Sequence, residues 1–466
     1  MAPPEIPGFY YDPYKRRYFK VENSKTAPTN AAWSSDNVKK RKFKDREAVT
    51  KSRRLELDAK RIAPPPIMRD LRASRFLKRE TGEDIRDFAA VSFARDIVEM
   101  GHVPSGFSST SSNLRHLALS TNCSVAVTSL DGDNLKTTHF VTNPNTQRVS
   151  WDPTSRTRSR SQSSVSCIKY SKKLHGVLIV CDDLSSLPYV MYDPGLWFRE
   201  AHFERSVSLA GIQLGPDQPP VQRHSRDMEY FAGYFICPST ENNDTVALIG
   251  TDRGLVSLTE PMGLRYITPI SGRNSSSYTT RFRDIFAIDY QVNHHSTFFM
   301  GGRPGQFHKG DLREAPMSWD SMTLPNSIAH IKSVSDYQVL VAGLNNMLSI
   351  FDLRYCRYSP ASDDNPYHKA LPLLNIPGYK NMAHFTLGFD FDKDTGVVAA
   401  AHDDGKVALY SVRDGRRLPS PVIDAIHSGY GPIHCIQMQA LPGDNMPRLF
   451  MGEDNQIKVY SVDASK

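Results

Sequence analysis

The sequence predicts an all-β protein, a seven-bladed β-propeller preceded by a basic N-terminal arm. Seven segments repeat one pattern of short strands and turns, roughly 40 to 50 residues apart. The last segment ends near Val462 and lacks an outer strand, so a segment from before the first repeat must complete it. Repeats of this length that close through both chain ends are typical of propeller blades, because closure removes exposed sheet edges.

Each repeated segment contains an apolar strand, a polar turn, a run of small apolar residues, a second turn and an alternating strand. Turns such as Asp403-Asp404-Gly405 favour tight hairpins, since glycine accepts the positive φ that these turns need. We expect residues 88–103 to supply the missing outer strand. The seven segments are 114–140, 165–193, 230–258, 285–314, 329–357, 384–412 and 433–462.

The composition excludes several classes of protein. The chain has 466 residues and is 39% hydrophobic, which is enough for a large core. We expect neither a membrane span nor a signal peptide, because no long apolar run occurs and the first residues are polar and aromatic. The cysteines show no paired spacing, so we expect buried thiols rather than disulfides or a zinc site. They are Cys123, Cys167, Cys181, Cys237, Cys356 and Cys435.

The positive charge is concentrated at the N-terminus. Residues 1–80 contain 21 Lys and Arg against 10 Asp and Glu, whereas the remainder is slightly acidic. Such asymmetry indicates an interaction or targeting arm attached to a nearly neutral body. We therefore divide the chain into an aromatic motif at 1–35, a basic, partly helical or disordered arm at 36–87, and the propeller at 88–466.

The aromatic motif, GFYYDPYKRRYFK at 8–20, predicts a miniature hairpin that turns at Asp12-Pro13. An isolated two-stranded hairpin is marginal in water, so its aromatic side chains need a surface to pack on. One interpretation is that the segment packs on its own propeller or stays disordered. The other is that it binds a partner or stacks on nucleic-acid bases.

The basic arm contains two candidate sites. The run Lys39, Lys40, Arg41, Lys42 and Lys44 indicates a nuclear import signal or a polyanion-binding patch, although a solvated charged helix explains it as well. We expect a nuclear or nucleocytoplasmic protein on this basis.

A second candidate site follows three prolines. Residues 67–79 predict a short amphipathic helix with apolar positions at Ile67, Leu71, Phe76 and Leu77. Such a helix is too short to be stable alone, so it must lie in a groove of a partner or of its own propeller.

Two further features bear on function. The Ser/Arg-rich stretch 154–166 predicts a solvated loop between blades, with a phosphorylation site or an acidic partner as the alternative. The sequence has no G-x-S-x-G, no phosphate-binding loop, no H-E-x-x-H and no C-x-x-C, and its histidines form no ligand cluster by spacing. We expect a non-catalytic protein without a cofactor or metal.

The third strands of the repeats carry a resemblance to a known family. FDLR at 351–354, GDLR at 310–313, LYSV at 409–412 and VYSV at 459–462 resemble the Trp-Asp strand of WD-repeat proteins, with Phe, Gly or Tyr in place of the Trp. Combined with GFYYD…RYFK and the short helix, the chain is similar to the DCAF group. These are the WD-repeat substrate receptors of cullin-4 RING ubiquitin ligases, and the similarity is greatest to the branch with an N-terminal aromatic motif.

The resemblance implies an adaptor-binding surface. In the family, the Arg two residues after the Asp of a blade contacts the ligase adaptor, which here implicates Arg313 with Asp311 and Arg354 with Asp352. A guanidinium suits this role because its fork makes paired hydrogen bonds and never loses its charge. The alternative is that these arginines only brace their own blades. By position, the helix at 67–79 corresponds to a second adaptor anchor.

The function implied is that of a substrate-receptor subunit, which binds the adaptor and presents an unknown protein substrate. Partner subunits would carry out ubiquitin transfer, and no membrane is involved. The alternative is a nuclear WD-repeat scaffold in RNA processing or ribosome assembly, with the basic arm contacting nucleic acid.

Overall fold

The structure is a computed structural model with two compact units, Met1–Gly82 and Glu83–Lys466. The residues that it describes are 8–12, 15–23, 33–40, 85–104, 114–130, 134–142, 149–151, 157–160, 164–182, 189–192, 207–208, 231–239, 245–259, 263–268, 282–355, 370–441, 444 and 446–462.

The first unit contains the predicted hairpin, with strands β1 (Phe9–Asp12) and β2 (Arg17–Lys20). The Asp12 carboxylate accepts a hydrogen bond from the backbone N–H of Lys15 at 3.3 Å, which supports the predicted turn. Residues 35–40 are helical.

The second unit is a β-propeller, a ring of antiparallel sheets around a central channel. It begins with helix α1 (Ile85–Asp96) and strand β3 (Ile97–Pro104). The next sheet has five strands. They are β4 (His116–Leu119), β5 (Val125–Ser129), β6 (Asn134–Thr142), β7 (Val149–Trp151) and β8 (Thr157–Arg160).

The other sheets of this unit are four-stranded blades. The first three contain β9 (Val165–Ser171), β10 (Gly176–Cys181), β11 (Tyr189–Tyr192), β12 (Val207–Ser208); β13 (Gly233–Pro238), β14 (Thr245–Thr251), β15 (Leu255–Thr259), β16 (Gly263–Tyr266); and β17 (Ile285–Tyr290), β18 (Thr297–Gly302), β19 (Gln306–Asp311), β20 (Asp320–Thr323). The last three contain β21 (Ile328–Ser333), β22 (Gln338–Gly343), β23 (Leu348–Asp352), β24 (Leu374–Asn375); β25 (Phe389–Asp392), β26 (Val397–Ala401), β27 (Val407–Ser411), β28 (Arg417–Leu418); and β29 (Ile436–Gln439), β30 (Arg448–Glu453), β31 (Gln456–Val462) with β3.

The all-β propeller fold is therefore confirmed, but the prediction of seven blades was wrong. Within the described residues there are six regular four-stranded blades, and the segment predicted as the first repeat forms the five-stranded sheet instead. The cause is the length of β6, whose nine residues offer room for two partners. Its N-terminal part pairs with β8 and its C-terminal part with β7.

The same pairing corrects the interpretation of the Ser/Arg-rich stretch. Residues 157–160, predicted to lie in a solvated loop, form β8 and pair with β6. A polar edge strand is stable there because the backbone makes the hydrogen bonds, and an edge tolerates charged side chains.

The ring closes as predicted, through pairing of the two ends of the propeller segment. Strand β3 pairs with β31 from Ile97↔Val462 to Pro104↔Gln456. The N-terminal half of the predicted strand 88–103 is helical, however, and belongs to α1. Its buried residues Ala90, Phe93 and Ala94 follow the helical spacing of three and four, which the strand prediction overlooked.

The core lies between the sheets. Neighbouring sheets share clusters of buried apolar side chains, and one of these clusters joins the five-stranded sheet to β9 and β10 while another joins it to β30 and β31. The described cysteines contribute to this packing as thiols rather than disulfides, as predicted, while Cys356 is outside the described residues. They are Cys123, Cys167, Cys181, Cys237 and Cys435.

Charged side chains tie neighbouring blades together around the channel. The Asp289 carboxylate on β17 accepts a hydrogen bond from the backbone N–H of Ser333 on β21 at 2.7 Å. Lys332 donates from Nζ to Asp390 Oδ1 on β25 at 2.7 Å, and Asp390 Oδ2 accepts from the backbone N–H of Met438 on β29 at 2.7 Å. The first strands of four successive blades are thus linked by polar contacts.

These contacts keep a buried ion pair charged. Burial by itself would raise the pKa of Asp390, but the neighbouring Lys332 holds that pKa below its usual range. Burial also disfavours the charged form of Lys332, yet Asp390 and Asp289 raise the pKa of its ammonium. The pair is therefore ionised at neutral pH, which makes each partner dependent on the other.

Candidate functional site

The two Asp-Leu-Arg motifs lie at equivalent positions of neighbouring blades. Asp311 is the last residue of β19 and pairs with the first residue of β18, and Asp352 is likewise the last residue of β23 and pairs with the first residue of β22. Because first and third strands of a blade run in parallel, both motifs lie on the face where the first strands end. We call this the Asp–Arg face and define it by Asp311, Arg313, Asp352 and Arg354.

The middle leucine explains why the motif leaves the strand in this way. Leu353 is buried between two blades, and Leu312 packs against the core on the preceding side. With the leucine anchored inward, the arginine that follows it is held at the surface, whereas Asp352 is itself buried. The Arg313 side chain is 75% exposed and that of Arg354 is 53% exposed.

Each arginine forms a fork with the aspartate of its own motif. Arg313 donates from Nε to Asp311 Oδ1 at 2.9 Å and from Nη2 to Oδ2 at 2.6 Å. Arg354 donates in the same way to Asp352, at 3.0 and 2.7 Å. The hydrogen bonds from the arginines hold the pKa of both carboxyl groups below the usual range.

The fork bears on whether these arginines are available to a partner or only brace their own blades. It does brace the motif, yet it uses only one edge of the guanidinium, which carries five N–H donors. Neither Nη1 makes a hydrogen bond to a described residue, so each arginine keeps further donors while its orientation is fixed. A partner that binds such an arginine orders little that is not ordered already.

The two arginines differ in their surroundings. The Arg354 guanidinium lies 5.0 Å from the ring centre of Tyr337 and 5.5 Å from that of Tyr355. Both rings are exposed, at 53% and 78%. Arg313 has no comparable aromatic contact within the described part of the chain. Tyrosine and arginine are enriched in binding hot spots, so the surroundings of Arg354 resemble a hot spot more closely than those of Arg313 do.

A third blade provides an internal comparison. Ser411 ends β27 and pairs with the first residue of β26, so it occupies the position of Asp311 and Asp352. The exposed Arg413 then corresponds to the two fork arginines, but the serine offers it no carboxylate. Arg413 is therefore a matched control for substitutions at the other two positions.

The N-terminal aromatic motif packs within its own unit. The rings of Phe19 and Trp33 stack at 4.8 Å, and the Lys15 ammonium lies 5.5 Å from the Phe19 ring centre. Residues 35–40 begin their helix after Ser34, whose Oγ accepts from the backbone N–H of Asn37 at 3.4 Å. Trp33 is thus a packing surface for the hairpin, which the sequence analysis did not identify.

The remaining predicted site residues are only partly described. Lys39 and Lys40 lie in the helical stretch 35–40 and are exposed. The others lie outside the described residues, so their predicted roles stay predictions. They are Arg41, Lys42, Lys44, Ile67, Leu71, Phe76 and Leu77.

The described residues contain neither a candidate membrane-spanning helix nor a candidate metal site. No helix among the described residues is both long and apolar enough to span a membrane. In that part of the chain, no group of three or more His, Cys, Asp or Glu side chains is arranged to hold a metal ion.

No protein-family model matches the chain, and no curated protein matches its sequence. The solved structure of the WD40 β-propeller domain of Doa1 is similar, with a TM-score of 0.49 and 11% sequence identity, over 78% of this chain and 98% of that one. At this identity the likeness concerns the fold alone. The strand pairing described above is what identifies this chain as a propeller.

Proposed function

We propose that this chain is a substrate-receptor subunit of a cullin-4 RING ubiquitin ligase, with the Asp–Arg face as its adaptor-binding surface. The observation that carries the proposal is the pair of oriented, exposed arginines at equivalent positions of neighbouring blades. A propeller is consistent with an interaction scaffold or receptor. In this role the chain supplies binding surfaces, and the partner subunits supply the chemistry.

The charges of this surface favour a partner with carboxylates or carbonyl oxygens. Two guanidiniums with spare donors form paired hydrogen bonds to such groups, and Arg retains its charge at any physiological pH. The exposed rings of Tyr337 and Tyr355 add apolar area beside Arg354. The helix predicted at 67–79 remains the proposed second anchor.

Affinity purification of the tagged full-length chain, followed by mass spectrometry, tests the proposal. The wild type should recover the cullin-4 scaffold and its adaptor, and Arg413→Ala should recover them equally. Purification that yields RNA-processing or ribosome-assembly factors in an RNase-sensitive manner, and no ligase subunit, would instead support the nuclear scaffold. In that case the receptor proposal is wrong.

We further propose that the basic run directs nuclear import. Replacing Lys39, Lys40, Arg41, Lys42 and Lys44 by alanine should lower the ratio of nuclear to cytoplasmic fluorescence of a tagged chain severalfold, because import receptors bind clustered cations. Lys39 and Lys40 are exposed, so the melting temperature should not change. Replacing the arm residues Lys51, Arg53 and Arg54 is the matched control. An unchanged ratio in the first variant would contradict the proposal.

A further inference from the structure

The central channel contains a cavity of about 280 Å³, lined by the first strands of the sheets. It lies towards the face opposite the Asp–Arg face, where the first strands begin. The residues that line it include Arg115, Lys169, Asp182, His330, Phe286 and Phe385. Nothing in the adaptor proposal uses this cavity.

Two of the carboxylates beside the cavity are already engaged by the protein. Asp289 accepts the Ser333 backbone N–H, and Asp390 accepts both the Lys332 ammonium and the Met438 backbone N–H. Lys332 is matched in turn by Asp390 at 2.7 Å. This part of the channel is therefore satisfied internally and offers little to a ligand.

Lys169 on β9 is different. Its ammonium lies 5.5 Å from the ring centre of Phe235, and among the described residues no carboxylate lies within ion-pair distance. The buried carboxylates of Asp289 and Asp390 interact with it only at longer range. The side chain is half-buried and lines the cavity. A partly desolvated ammonium without a hydrogen-bond acceptor is costly unless an anion meets it. Asp182 and Arg115 also line the cavity; both are exposed, and they carry opposite charges.

Two of the histidines that line the cavity, His116 and His330, do not compete for that anion. Burial lowers the pKa of His330 to about 3, with Lys332 and Lys169 contributing, and burial lowers the pKa of His116 to about 4. Both rings are consequently neutral at physiological pH. Among the described residues, the buried Nε2 of His330 has no hydrogen-bond partner. The cavity therefore combines a cation that no carboxylate contacts with a buried polar atom of a neutral ring.

Three stacked aromatic rings, each from a different blade, lie at the mouth of the cavity. The ring centres of Tyr234 and Phe286 are 4.7 Å apart, and those of Phe286 and Phe385 are 4.3 Å apart. The guanidinium of Arg303, whose side chain is 51% exposed, lies 5.2 Å from Phe286 and 5.4 Å from Phe385. Arg303 also pairs with the Asp284 carboxylate at 3.7 Å, which holds it beside the rings. An aromatic platform flanked by such a guanidinium suits an extended peptide whose end or side chain reaches inward.

We propose that this channel binds a carboxylate carried by a peptide, either its C-terminus or an Asp or Glu side chain, with Lys169 as the counter-ion. The cavity volume admits one or two side chains, so the rest of the peptide lies on the mouth against Phe286, Phe385 and Arg303. A monoanion is favoured over a phosphate because Asp289 and Asp390 lie close by and repel a dianion more strongly. The site stands whether or not the chain is a ligase receptor.

The test uses an array of defined hexapeptides, each synthesised with a free and with an amidated C-terminus, and half of them carrying Asp or Glu at the third position. Peptides retained by the full-length chain are then titrated by fluorescence anisotropy. We expect Lys169→Met to weaken their binding at least tenfold and Lys169→Arg to retain it. Lys172→Met, which removes an exposed lysine of the same hairpin, is the control and should bind as the wild type does.

The outcomes separate the two sources of the carboxylate. Loss of binding on amidation assigns the site to a C-terminus, and dependence on the third position assigns it to an acidic side chain. The proposal is overturned if no peptide of either kind binds, or if Lys169→Met binds with unchanged affinity. Should Lys169→Met lower the melting temperature, Phe385→Ala provides a second variant, which must also weaken binding for the proposal to hold.

Discussion

Replacing both Arg313 and Arg354 by alanine should lower the affinity for the cullin-4 adaptor by at least about 100-fold while the propeller stays folded. The reason is that each guanidinium presents fixed, unused donors, and truncation would leave acceptors of the partner unpaired in the interface. The arginine side chains are 75% and 53% exposed, so their removal takes little packing from the fold. The buried Asp352 carboxylate still accepts the backbone N–H of residue 354 at 3.1 Å. Titration of purified adaptor measures the affinity, and a melting curve checks the fold.

The single variants make the prediction sharper. Arg354→Ala should cost more affinity than Arg313→Ala, because only Arg354 is flanked by the exposed rings of Tyr337 and Tyr355. Arg413→Ala, at the equivalent position without the aspartate, should leave the affinity unchanged. If a well-folded double variant binds the adaptor with full affinity, the Asp–Arg face is not the adaptor-binding surface. A lower melting temperature with unchanged affinity would mean that the arginines only brace their blades.

The largest effect on stability is expected from Asp390→Ala, which should lower the free energy of unfolding by about 3 kcal/mol. The substitution leaves the Lys332 ammonium without its carboxylate and the Met438 backbone N–H without its acceptor. Both groups lie beside the channel, where water compensates only in part. Urea unfolding followed by tryptophan fluorescence measures the change.

Asp394→Ala is the control for this effect, since Asp394 is an exposed carboxylate in the turn that follows β25. Its substitution should change the stability by no more than about 0.5 kcal/mol. Adding Lys332→Met to Asp390→Ala should restore part of the loss, because the buried ammonium is then gone. Equal destabilisation by Asp390→Ala and Asp394→Ala would show that the channel ion pair does not support the ring.

The acid dependence follows from the same pair. Because Lys332 holds the pKa of Asp390 below its value in the unfolded chain, the ion pair contributes its full stability above the unfolded pKa. That contribution is lost as the pH falls through the folded pKa. Asp390→Ala should therefore lose less stability than the wild type when the pH is lowered below about 4.

The sequence by itself determined the features that depend on neighbouring residues. Hairpin strands and turns are local, so most of the repeated strands lie where they were predicted. The closing pair of β3 with β31 is not local, but it was predicted because the last repeat lacks an outer strand. The Asp-Leu-Arg forks were also readable, because both partners lie two residues apart on one strand end. The helix α1 was missed because a short apolar run at 88–96 fits a strand or a helix until its packing is known.

Only the tertiary structure decided which distant side chains meet. Lys332 and Asp390 are 58 residues apart. Phe286 stacks on Phe385, although the two residues belong to different blades and no sequence pattern relates them. Tyr337 reaches Arg354 within one blade, because the pairing of β22 with β23 places Gln338 opposite Asp352. The contacts between blades arise when the ring closes, because closure brings the first strands of all the sheets around one channel. It is packing around this channel, rather than any local pattern, that leaves Lys169 without a described carboxylate within ion-pair distance.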